Sequence, residues 1–595
     1  MKPTDVSHPD YFHKVVDCQW ACPAHTPVPE YIRLIAAGRY TDAYMVNWVS
    51  NVFPGILGRT CDRPCEPACR RVRVENEAVA ICRLKRVAAD NKDDIHDRLP
   101  RIPTQKNGKR VALVGAGPAS LTVARDLAPL GYHVVMYDGD GKTGGMMRTQ
   151  IPRFRLPESV TDEECGYITD MGVELRLNTR VDSMKALLAE GYDAIFIGSG
   201  APRGRELELP GRQEAGANIH IGIDWLSSVS FGHVDKIGKR VIVLGGGNTA
   251  MDCCRTSRRL GGTDVKVIVR SGFEEMKASP WEKDDALHED IPILNMLVPK
   301  EFTHEHGKLT GVMFEKVEAK YDDKGRRSLV PTGEPDQHFE CDDVLVAVGQ
   351  ENAFPWIERD IGIEFDRWNM PKVDPHTMQT TLPHVVTGGD AAFGPKNIIW
   401  AVAHGHDAAV TIDKLLNGED VTQRPAPDVA LISQKMGIHE WSYHNDVSND
   451  VRYRVPHREK EVALKDVRVE VELGFDQKLG FLEAERCLNC DVETVFTANL
   501  CIECDACVDI CPMDCISFTA NGEEDDLRTR LSAPAKNRTQ DLYVSSELKT
   551  SRVMVKDEDV CLHCGLCAER CPTGAWDMQK FLLDMTMAGP ACRSR

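Results

Sequence analysis

The chain has 595 residues, enough for about four domains, and its 42% apolar residues can fill several hydrophobic cores. Its formal net charge of −19 argues against a nucleic acid partner, because phosphate backbones are bound by clustered lysine and arginine. No uncharged stretch of about 20 apolar residues is present, which predicts no membrane span, and the first residues lack the apolar core of a secretory signal.

The 22 cysteines are clustered: six precede residue 83 and twelve follow residue 486. Clustering of this kind is typical of metal ligation and not of a dispersed disulfide framework. Thiolate metal sites persist where thiols stay reduced, so we expect a cytoplasmic protein.

Residues 1–100 combine two amphipathic helix patterns, over residues 29–43 and 79–89, with six candidate metal ligands: Cys18, Cys22, Cys61, Cys65, Cys69 and Cys82. A segment this short lacks apolar bulk, and metal ligation would supply folding free energy. Because no histidine shares the cysteine spacing, a helical domain built around iron–sulfur clusters fits best. Zinc and buried free cysteines are the alternatives.

A strand, a glycine-rich turn, a helix and a second strand follow one another over residues 111–138. Gly115, Gly117 and Ser120 occupy the three glycine positions of a dinucleotide fingerprint, and Asp138 follows the second strand, where an acid binds a ribose hydroxyl. Gly115 permits the tight turn, and Gly117 lets backbone N–H groups approach a diphosphate at the helix N-terminus. The pattern predicts a dinucleotide site, in which the small Ser120 replaces the third glycine.

A second fingerprint turn lies within residues 239–270 and contains Gly245, Gly247, Asn248 and Thr249. We expect the following helix to run from residue 251. The next strand ends in Arg270, where a site specific for NAD would place an acid. A guanidinium can pair with a 2′-phosphate in a bidentate manner, so NADP is favoured and NAD is the alternative.

Residues 495–595 contain the spacing C-x-x-C-x-x-C-x-x-x-C-P twice, an internal duplication that resembles bacterial two-cluster ferredoxins. In such proteins the fourth cysteine of each motif binds the cluster of the other motif. One predicted ligand set is therefore Cys501, Cys504, Cys507 and Cys571. The other is Cys561, Cys564, Cys567 and Cys511.

The segment CQWACPAHTPVPEYIRLIAAGRY, followed by GRTCDRPCEPACRR, resembles the N-terminal domain of the glutamate synthase small-subunit family. The resemblance extends to about residue 420 and implies two 4Fe–4S clusters ahead of an FAD domain and an NAD(P) domain. That family carries a C-x-x-C pair before the first cysteine seen here, and this chain lacks the pair at that place.

Cys487 and Cys490 form a C-x-x-C pair at the opposite end of the flavoprotein region. We expect this pair to join Cys18 and Cys69 in one cluster. A second cluster would then be held by Cys22, Cys61, Cys65 and Cys82. The alternative is a single N-terminal cluster, with the pair free or bound elsewhere.

Two further segments match parts of that family that contact the flavin. GGMMRTQIPRFRLP contains Gly145 and Arg148, which the resemblance places beside the flavin or its diphosphate, together with Arg155. HVVTGGDAAFG contains Gly389 and Asp390, and the resemblance implies that Asp390 binds the ribityl chain of FAD. The alternatives are a solvated charge for each arginine and a helix N-cap for Asp390.

These patterns predict a multidomain protein in six segments. They are a helical iron–sulfur domain (1–100), a first FAD-binding half (107–235), an NAD(P)-binding domain (236–348), a second FAD-binding half (349–420), a connector with the C-x-x-C pair (421–494) and an α+β ferredoxin-type domain (495–595). The FAD and NAD(P) domains are expected to be Rossmann-like α/β folds.

The predicted cofactors are FAD, NADP or NAD, and 4Fe–4S clusters, with four clusters favoured over three. We expect electron transfer between NAD(P)(H) and a redox partner, without a catalytic side chain, because the cofactors carry the hydride chemistry. The domain order resembles the flavin subunit of 2-oxoacid oxidoreductases such as 2-oxoglutarate:NADP oxidoreductase, which implies a thiamine-diphosphate partner. The alternatives are a glutamate-synthase-type small subunit, a free-standing NAD(P)H:ferredoxin oxidoreductase, and a non-catalytic electron-wiring subunit.

Overall fold

The structure is a computed structural model that describes residues 1–8, 11, 15–437, 440–442, 446–535 and 537–593. The chain forms two compact units. We call Met1–Leu99, Asp420–Val455 and Gly474–Arg595 the cysteine unit, and Pro100–Glu419 with Pro456–Leu473 the nucleotide unit. No helix among the described residues is long and apolar enough to cross a membrane.

Six helices form the N-terminal part of the cysteine unit: α1 (Asp17–Trp20), α2 (Val28–Ala36), α3 (Tyr40–Asn51), α4 (Pro54–Thr60), α5 (Val72–Glu75) and α6 (Ile81–Asn91). The single helix predicted over residues 29–43 is wrong, because Gly38 adopts φ +70 and separates α2 from α3. The helix predicted over residues 79–89 corresponds to α6. Tyr31 and Trp48 are fully buried and fill the core between these helices.

The nucleotide unit begins with β1 (Arg110–Val114), α7 (Pro118–Leu127), β2 (His133–Tyr137), α8 (Met146–Thr149), α9 (Glu158–Thr169), β3 (Glu174–Arg176), α10 (Met184–Ala189), β4 (Ala194–Ile197) and β5 (Arg203–Gly204). Strands β4, β1, β2 and β3 pair in that order and are parallel. The apolar runs of β1 and β4 are buried, as expected for strands covered on both faces.

The next elements are β6 (Ile219–Ile221), α11 (Gly222–Ser230), β7 (Arg240–Leu244), α12 (Asn248–Arg259), β8 (Asp264–Val269), α13 (Pro280–His288), β9 (Ile293–Asn295), β10 (Leu297–Glu305), β11 (Lys308–Tyr321), β12 (Arg327–Pro331), β13 (Gln337–Glu340) and β14 (Asp343–Val346). A second parallel sheet has the order β6-β14-β7-β8-β9. β6, which lies near the end of the predicted first FAD-binding half, pairs with β14 and joins this second sheet. β10 to β13 form a separate antiparallel sheet.

The nucleotide unit is completed by β15 (Gln350–Glu351), β16 (Val385–Thr387), α14 (Asp390–Phe393), α15 (Ile398–Leu416) and α16 (Lys460–Ala463). β15 pairs with β5, so the two chain crossings between the sheets lie side by side. β16 joins β4 at the edge of the first sheet. Ala463 and Val471, from the segment predicted as connector, pack on Phe154.

The C-terminal part of the cysteine unit contains β17 (Asp428–Ser433), α17 (Gln477–Ala484), β18 (Val492–Phe496), α18 (Ala506–Ile510), β19 (Ile516–Ala520), α19 (Glu524–Thr529), β20 (Tyr543–Val544), β21 (Arg552–Lys556), α20 (Leu566–Arg570), β22 (Trp576–Asp584) and α21 (Pro590–Arg593). The strands among these elements form two antiparallel sheets, β17-β22-β18 and β19-β21-β20. β17 therefore belongs to the ferredoxin-like sheet, although its residues were predicted as connector.

Candidate cofactor sites

The first glycine turn connects β1 to α7. Gly115 adopts φ +98, and a Cβ atom there would lie 2.6 Å from the carbonyl oxygen of Gly198, so only glycine fits. Gly117 has an ordinary φ of −82, and a Cβ atom there would meet no atom within 4 Å. Open space is thus left before the N-terminus of α7, where backbone N–H groups would face a diphosphate.

Ser120 takes the third glycine position and is fully buried in α7. A Cβ atom on Gly198 would lie 2.2 Å from the Oγ of Ser120, so Gly198 provides the room that a third glycine would otherwise provide. The buried hydroxyls of Ser120 and Ser199 find no hydrogen-bond partner among the described residues. Two unsatisfied hydroxyls beside an open turn fit a site that a polar cofactor completes.

Asp138 lies directly after β2, beside the same turn. Its Oδ2 accepts a hydrogen bond from the N–H of Ala116 at 2.6 Å, and its Oδ1 accepts one from the N–H of Asp140 at 2.8 Å. Burial raises the pKa of this carboxyl more than the two hydrogen bonds lower it. The acid predicted to bind ribose is therefore fixed next to the turn.

The pair Gly144–Gly145 folds onto the first turn. The N–H of Gly144 donates to the carbonyl oxygen of Ala116 at 2.9 Å. Gly145 adopts φ +50, and a Cβ atom there would lie 2.8 Å from the Cα of Gly117. The fold thus packs the backbone of this segment against the first turn. Its approach to the flavin, which the family resemblance implied, stays a prediction.

Arg148 and Arg155 are both engaged by acidic partners. Arg148 donates from NH2 to Asp162 at 2.6 Å and from Nε to the carbonyl oxygen of Thr143 at 2.7 Å. Arg155 donates to Asp252 of α12 at 2.7 Å. Neither is a solvated surface charge, and a contact of Arg148 with the cofactor stays a prediction.

Gly389 and Asp390 begin α14 close to the first fingerprint helix. Gly389 adopts φ +62, and a Cβ atom there would lie 3.2 Å from the Cβ of Ala119 in α7. The Oδ1 of Asp390 accepts a hydrogen bond from the N–H of Lys396 at 3.0 Å, and burial raises the pKa of this carboxyl. The side chain of Asp390 does not cap α14, so the N-cap alternative does not hold.

In the second glycine turn, as in the first, one glycine is required by the backbone and another faces open space. Gly245 adopts φ +141, and a Cβ atom there would lie 2.2 Å from the carbonyl oxygen of Ala347. A Cβ atom on Gly247 would meet no atom within 4 Å. α12 begins at Asn248, three residues earlier than predicted, with the half-buried Thr249 in its first turn.

Asn248 and Arg270 border the second turn in different ways. The Oδ1 of Asn248 accepts a hydrogen bond from the N–H of Ser279 at 2.8 Å, which ties the loop after β8 to the turn. Arg270, directly after β8, is exposed, and its guanidinium makes no ion pair within the described ranges. It is therefore free to meet a 2′-phosphate.

In the cysteine unit, one small cavity is lined by Cys18, Cys69, Cys487 and Cys490. Burial raises the pKa of Cys18, and the neighbouring thiols raise it further. Arg70, Arg71 and Ile32 complete part of the wall. Four thiols around one cavity suit a 4Fe–4S cluster, and the two arginines would offset part of its negative charge.

A second group consists of Cys22, Cys61, Cys65 and Cys82. Burial lowers the pKa of Lys85, but the charges of these four thiols outweigh burial and raise it. All four cysteines therefore lie near one buried ammonium group. The structure thus brings together both N-terminal sets that the sequence predicted, and their role as ligands stays a prediction.

The fourth cysteine of each ferredoxin-like motif lies near cysteines of the other motif. Burial raises the pKa of Cys507 to about 11, and the neighbouring Cys571 of the other motif contributes. In the same way, burial raises the pKa of Cys564, and Cys511 contributes from the other motif. This crossed arrangement is the one expected for two 4Fe–4S clusters.

Three of the cysteines outside the four predicted ligand sets have different surroundings. Cys515 lies in the ferredoxin-like core, with its Sγ 3.5 Å from that of Cys511. Cys253 and Cys254 are fully buried in the apolar core beside the second sheet. The last two are adjacent on α12 and pack there as small apolar side chains.

Comparisons with known proteins agree with this layout. Residues 109–405 match the pyridine nucleotide-disulphide oxidoreductase family, residues 13–96 the 4Fe-4S cluster domain II of dihydropyrimidine dehydrogenase, and residues 500–575 the 4Fe-4S dicluster domain. The chain is 34% identical over 505 residues to the NADP(+)-dependent formate dehydrogenase subunit beta of Moorella thermoacetica, covering 80% of this chain and 70% of the relative.

Two further relatives decide the family. The NADPH-Fe(3+) oxidoreductase subunit beta of Geobacter sulfurreducens is 31% identical, with 82% of this chain and 77% of the relative covered. The glutamate synthase (NADPH) small chain of Azospirillum brasilense is 32% identical, with 66% and 84% covered. This chain belongs to the glutamate synthase small-chain-like family of NADP-dependent flavin iron–sulfur oxidoreductases.

As a member of this family, the protein is an NADP-dependent electron-transfer oxidoreductase. Iron–sulfur domains lie at both ends of the chain and an FAD- and NAD(P)-binding region lies between them. The predicted cofactors FAD, NADP and 4Fe–4S are confirmed, and iron–sulfur replaces the zinc alternative. The number of clusters and their ligands stay predictions.

Sequence reasoning missed several buried polar residues at these sites. The Nδ2 of Asn352 donates to the backbone carbonyl of Asp390 at 2.6 Å, from a segment without any motif. Arg70 and His563 are buried between cysteines that are distant in sequence. Lys85 alone carried a usable signal, because it is a charged residue on the buried face of α6, three positions after Cys82.

Proposed function

We propose that this chain transfers electrons between NADP(H) and a second redox protein, with FAD in the nucleotide unit and four 4Fe–4S clusters in the cysteine unit. The observation that carries the proposal is the convergence of Cys487 and Cys490 with Cys18 and Cys69 around one cavity. It joins the segment that leads into the ferredoxin-like domain to the N-terminal helices, and every candidate ligand belongs to one unit.

In this proposal the first turn and the N-terminus of α7 hold the diphosphate of FAD. Asp138 binds the ribose, and Asp390, positioned by Asn352, binds the ribityl chain. The cofactor, when bound, exchanges a hydride with nicotinamide and single electrons with iron–sulfur centres. The residues of the chain bind and orient it, and none is required as a general acid or base.

The second turn and α12 hold the NADP diphosphate, and Arg270 pairs with the 2′-phosphate. A cleft of about 1730 Å³ opens where β5 and β15 run side by side, and Gly204, Asn352 and Phe393 line it. It is larger than an ordinary small-ligand pocket. We assign the nicotinamide end of the coenzyme to this cleft.

The end of the cysteine unit that meets the partner is the first ferredoxin-like motif. Leu500 and Ile502 are 47% and 57% exposed there, and Cys504 is exposed as well. Val560, which corresponds to Leu500 in the second motif, is buried. Exposed apolar side chains around an accessible cluster ligand are the surface that a redox partner would cover.

We assign the partner as a thiamine-diphosphate-dependent 2-oxoacid oxidoreductase, with 2-oxoglutarate as the favoured substrate. The order of the domains and the appended ferredoxin-like domain support this assignment. The alternatives are a glutamate-synthase-type partner and free ferredoxin. The relatives from Moorella thermoacetica and Geobacter sulfurreducens are beta subunits, which supports a role inside a complex.

Purification of the native complex under anaerobic conditions tests the assignment. We expect a co-purifying subunit and reduction of NADP that depends on 2-oxoglutarate and coenzyme A. Formation of glutamate from glutamine and 2-oxoglutarate would instead favour the glutamate synthase alternative. Ile502→Glu should weaken partner-dependent NADP reduction about tenfold or more, as expected for an interface anchor, whereas Val451→Glu, at another exposed position of the cysteine unit, should not.

A further inference from the structure

One histidine connects two cysteines that belong to different sets. His563 lies between Cys561 and Cys564 in the second ferredoxin-like motif and is buried. Its Nδ1 donates a hydrogen bond to the carbonyl oxygen of Cys490 at 2.8 Å. Its backbone N–H donates to the Sγ of Cys561 at 3.3 Å. Cys490, in contrast, lines the cavity shared with the N-terminal helices.

A buried arginine connects the same two sets. Arg70 follows Cys69 directly and lines the N-terminal cavity. Its Nε donates to Asp17 at 2.6 Å, while NH1 donates to the carbonyl oxygens of Glu558, at 2.8 Å, and Cys561. The Arg70 guanidinium therefore reaches from Asp17, which precedes Cys18, to the backbone carbonyl of Cys561.

The side chain of Glu558 fixes this arrangement. Its Oε2 lies 3.1 Å from the Nε2 of His563, while Lys556 lies 2.7 Å from its Oε1 and Tyr11 donates to that oxygen at 3.0 Å. The imidazole ring is thus held from both sides, with Nδ1 kept on the carbonyl of Cys490. A ring held at both nitrogens has one orientation.

The matching position in the first motif lacks such a contact. Glu503 stands where His563 stands, and its N–H likewise donates to the Sγ of Cys501 at 3.3 Å. Its carboxylate, however, pairs with Arg552 at 3.0 Å, on β21. The two motifs therefore share their backbone geometry and differ in this one side chain.

We propose that His563 and Arg70 form the electron-transfer contact between the site of Cys18, Cys69, Cys487 and Cys490 and the site of Cys561, Cys564, Cys567 and Cys511. The inference rests on the proposed function, in which both sites hold clusters. Electron tunnelling weakens steeply across empty space and much less along covalent and hydrogen bonds. The path from Cys490 through His563 to Cys561 contains only two hydrogen bonds. One electron crosses, so iron at one site is oxidised by one unit and iron at the other is reduced by one, and no proton or atom is transferred.

Arg70 also raises the reduction potentials of both clusters in this proposal. A buried positive charge between two clusters favours the reduced, more negative form of each. Its replacement by methionine should therefore lower the reduction potentials of both clusters, which a merely structural residue would not do selectively. Potentiometric titration followed by EPR spectroscopy measures both potentials.

The direct test follows cluster reduction in the full-length protein. Each variant is mixed anaerobically with NADPH, frozen after set times and examined by EPR spectroscopy, and its iron is counted. We expect His563→Ala to keep its iron and its rate of flavin reduction, while reduction of the ferredoxin-domain clusters slows about tenfold or more, as is usual when a group beside metal ligands is removed. Glu503→Ala, the matched control, should behave as the parent does.

His563→Ala with full iron content and parental kinetics would overturn the proposal. If His563→Ala loses iron, Arg70→Lys decides, because lysine keeps the charge but cannot span the contacts of the guanidinium fork. Slow reduction in Arg70→Lys supports the proposal, and a parental rate overturns it. Iron loss from both variants also overturns it, because the junction would then serve cluster assembly. A parent protein without iron would instead refute the proposed function itself.

Discussion

A Cβ atom on Gly145 would lie 2.8 Å from the Cα of Gly117, so the glycine pair after β2 closes one side of the first turn. On its other side Gly117 faces open space. Packing within the protein explains why residue 145 is glycine and does not explain why residue 117 is. We therefore predict that a ligand approaches the backbone at residue 117, where a side chain would be in its way.

Gly117→Ala should therefore separate cofactor binding from folding. The added methyl group meets no atom within 4 Å, so thermal stability of the FAD-free protein should not change. It occupies the space of the diphosphate, and FAD affinity should fall about tenfold or more. Flavin retained after desalting and the FAD dissociation constant measure the effect. Gly166→Ala, also open within 4 Å, is the control, and equal FAD content in both variants would contradict the assignment.

Arg270→Glu should shift coenzyme preference from NADPH towards NADH. The substitution removes a free guanidinium and places a carboxylate where a 2′-phosphate would lie, so NADPH affinity should fall about tenfold or more. The ratio of kcat/KM for the two coenzymes reports the change. Lys308→Glu makes the same change of charge on the exposed start of β11. An unchanged ratio in Arg270→Glu would remove Arg270 from its assigned role.

Cys487→Ser should remove one cluster of the four. The parent should contain about sixteen iron atoms per chain and the variant about twelve, because a 4Fe–4S cluster needs its thiolate ligands. Cys165→Ser, a buried cysteine of the nucleotide unit, should keep the parental content. A parental content of about twelve would support the single N-terminal cluster. Equal iron in the parent and in Cys487→Ser would show that Cys487 is not a ligand.

Glu289, at the end of α13, should stabilise the packing of α13 on α12 in a pH-dependent way. Burial raises its pKa, but hydrogen bonds from Arg259 and the charge of Arg255 outweigh burial and lower it. Its stabilising contribution is therefore present above the ordinary pKa of 4.5 and is lost as the pH falls through the lowered value. Glu289→Gln leaves two buried arginines short of a partner and should lower the free energy of unfolding by about 3–5 kcal/mol.

Urea unfolding at neutral pH measures this difference. Glu274→Gln, at an exposed position nearby, should change the free energy of unfolding by less than about 0.5 kcal/mol. Equal stability of the two variants would show that Arg255 and Arg259 are balanced without Glu289.

Much of the cofactor machinery could be predicted from the sequence because it depends on local chain geometry. Turns such as Gly115–Gly117 need particular residues at fixed spacing, and so does a repeated cysteine motif. The set of Cys18, Cys69, Cys487 and Cys490 was predictable for a different reason. The chain lacks the C-x-x-C pair that the family carries near the N-terminus, and it has an additional C-x-x-C pair at Cys487 and Cys490.

The remainder depends on contacts between distant segments, which leave no periodic signal. Gly198 makes room for Ser120, and no sequence motif near either residue indicates that the two are in contact. The pairing of β6 with β14 could not be predicted, because a strand of three residues carries too little pattern to indicate its partner. Gly38 breaks a helix pattern that its apolar neighbours would otherwise continue.

The central claim is that NADPH, a flavin and iron–sulfur clusters share electrons within this one chain. Anaerobic titration of the purified full-length protein with NADPH, followed by absorption and EPR spectroscopy, tests it most directly. We predict loss of the yellow flavin absorbance together with EPR signals of reduced 4Fe–4S clusters. A protein that binds zinc in place of iron, or whose flavin is not bleached by NADPH, would contradict the account.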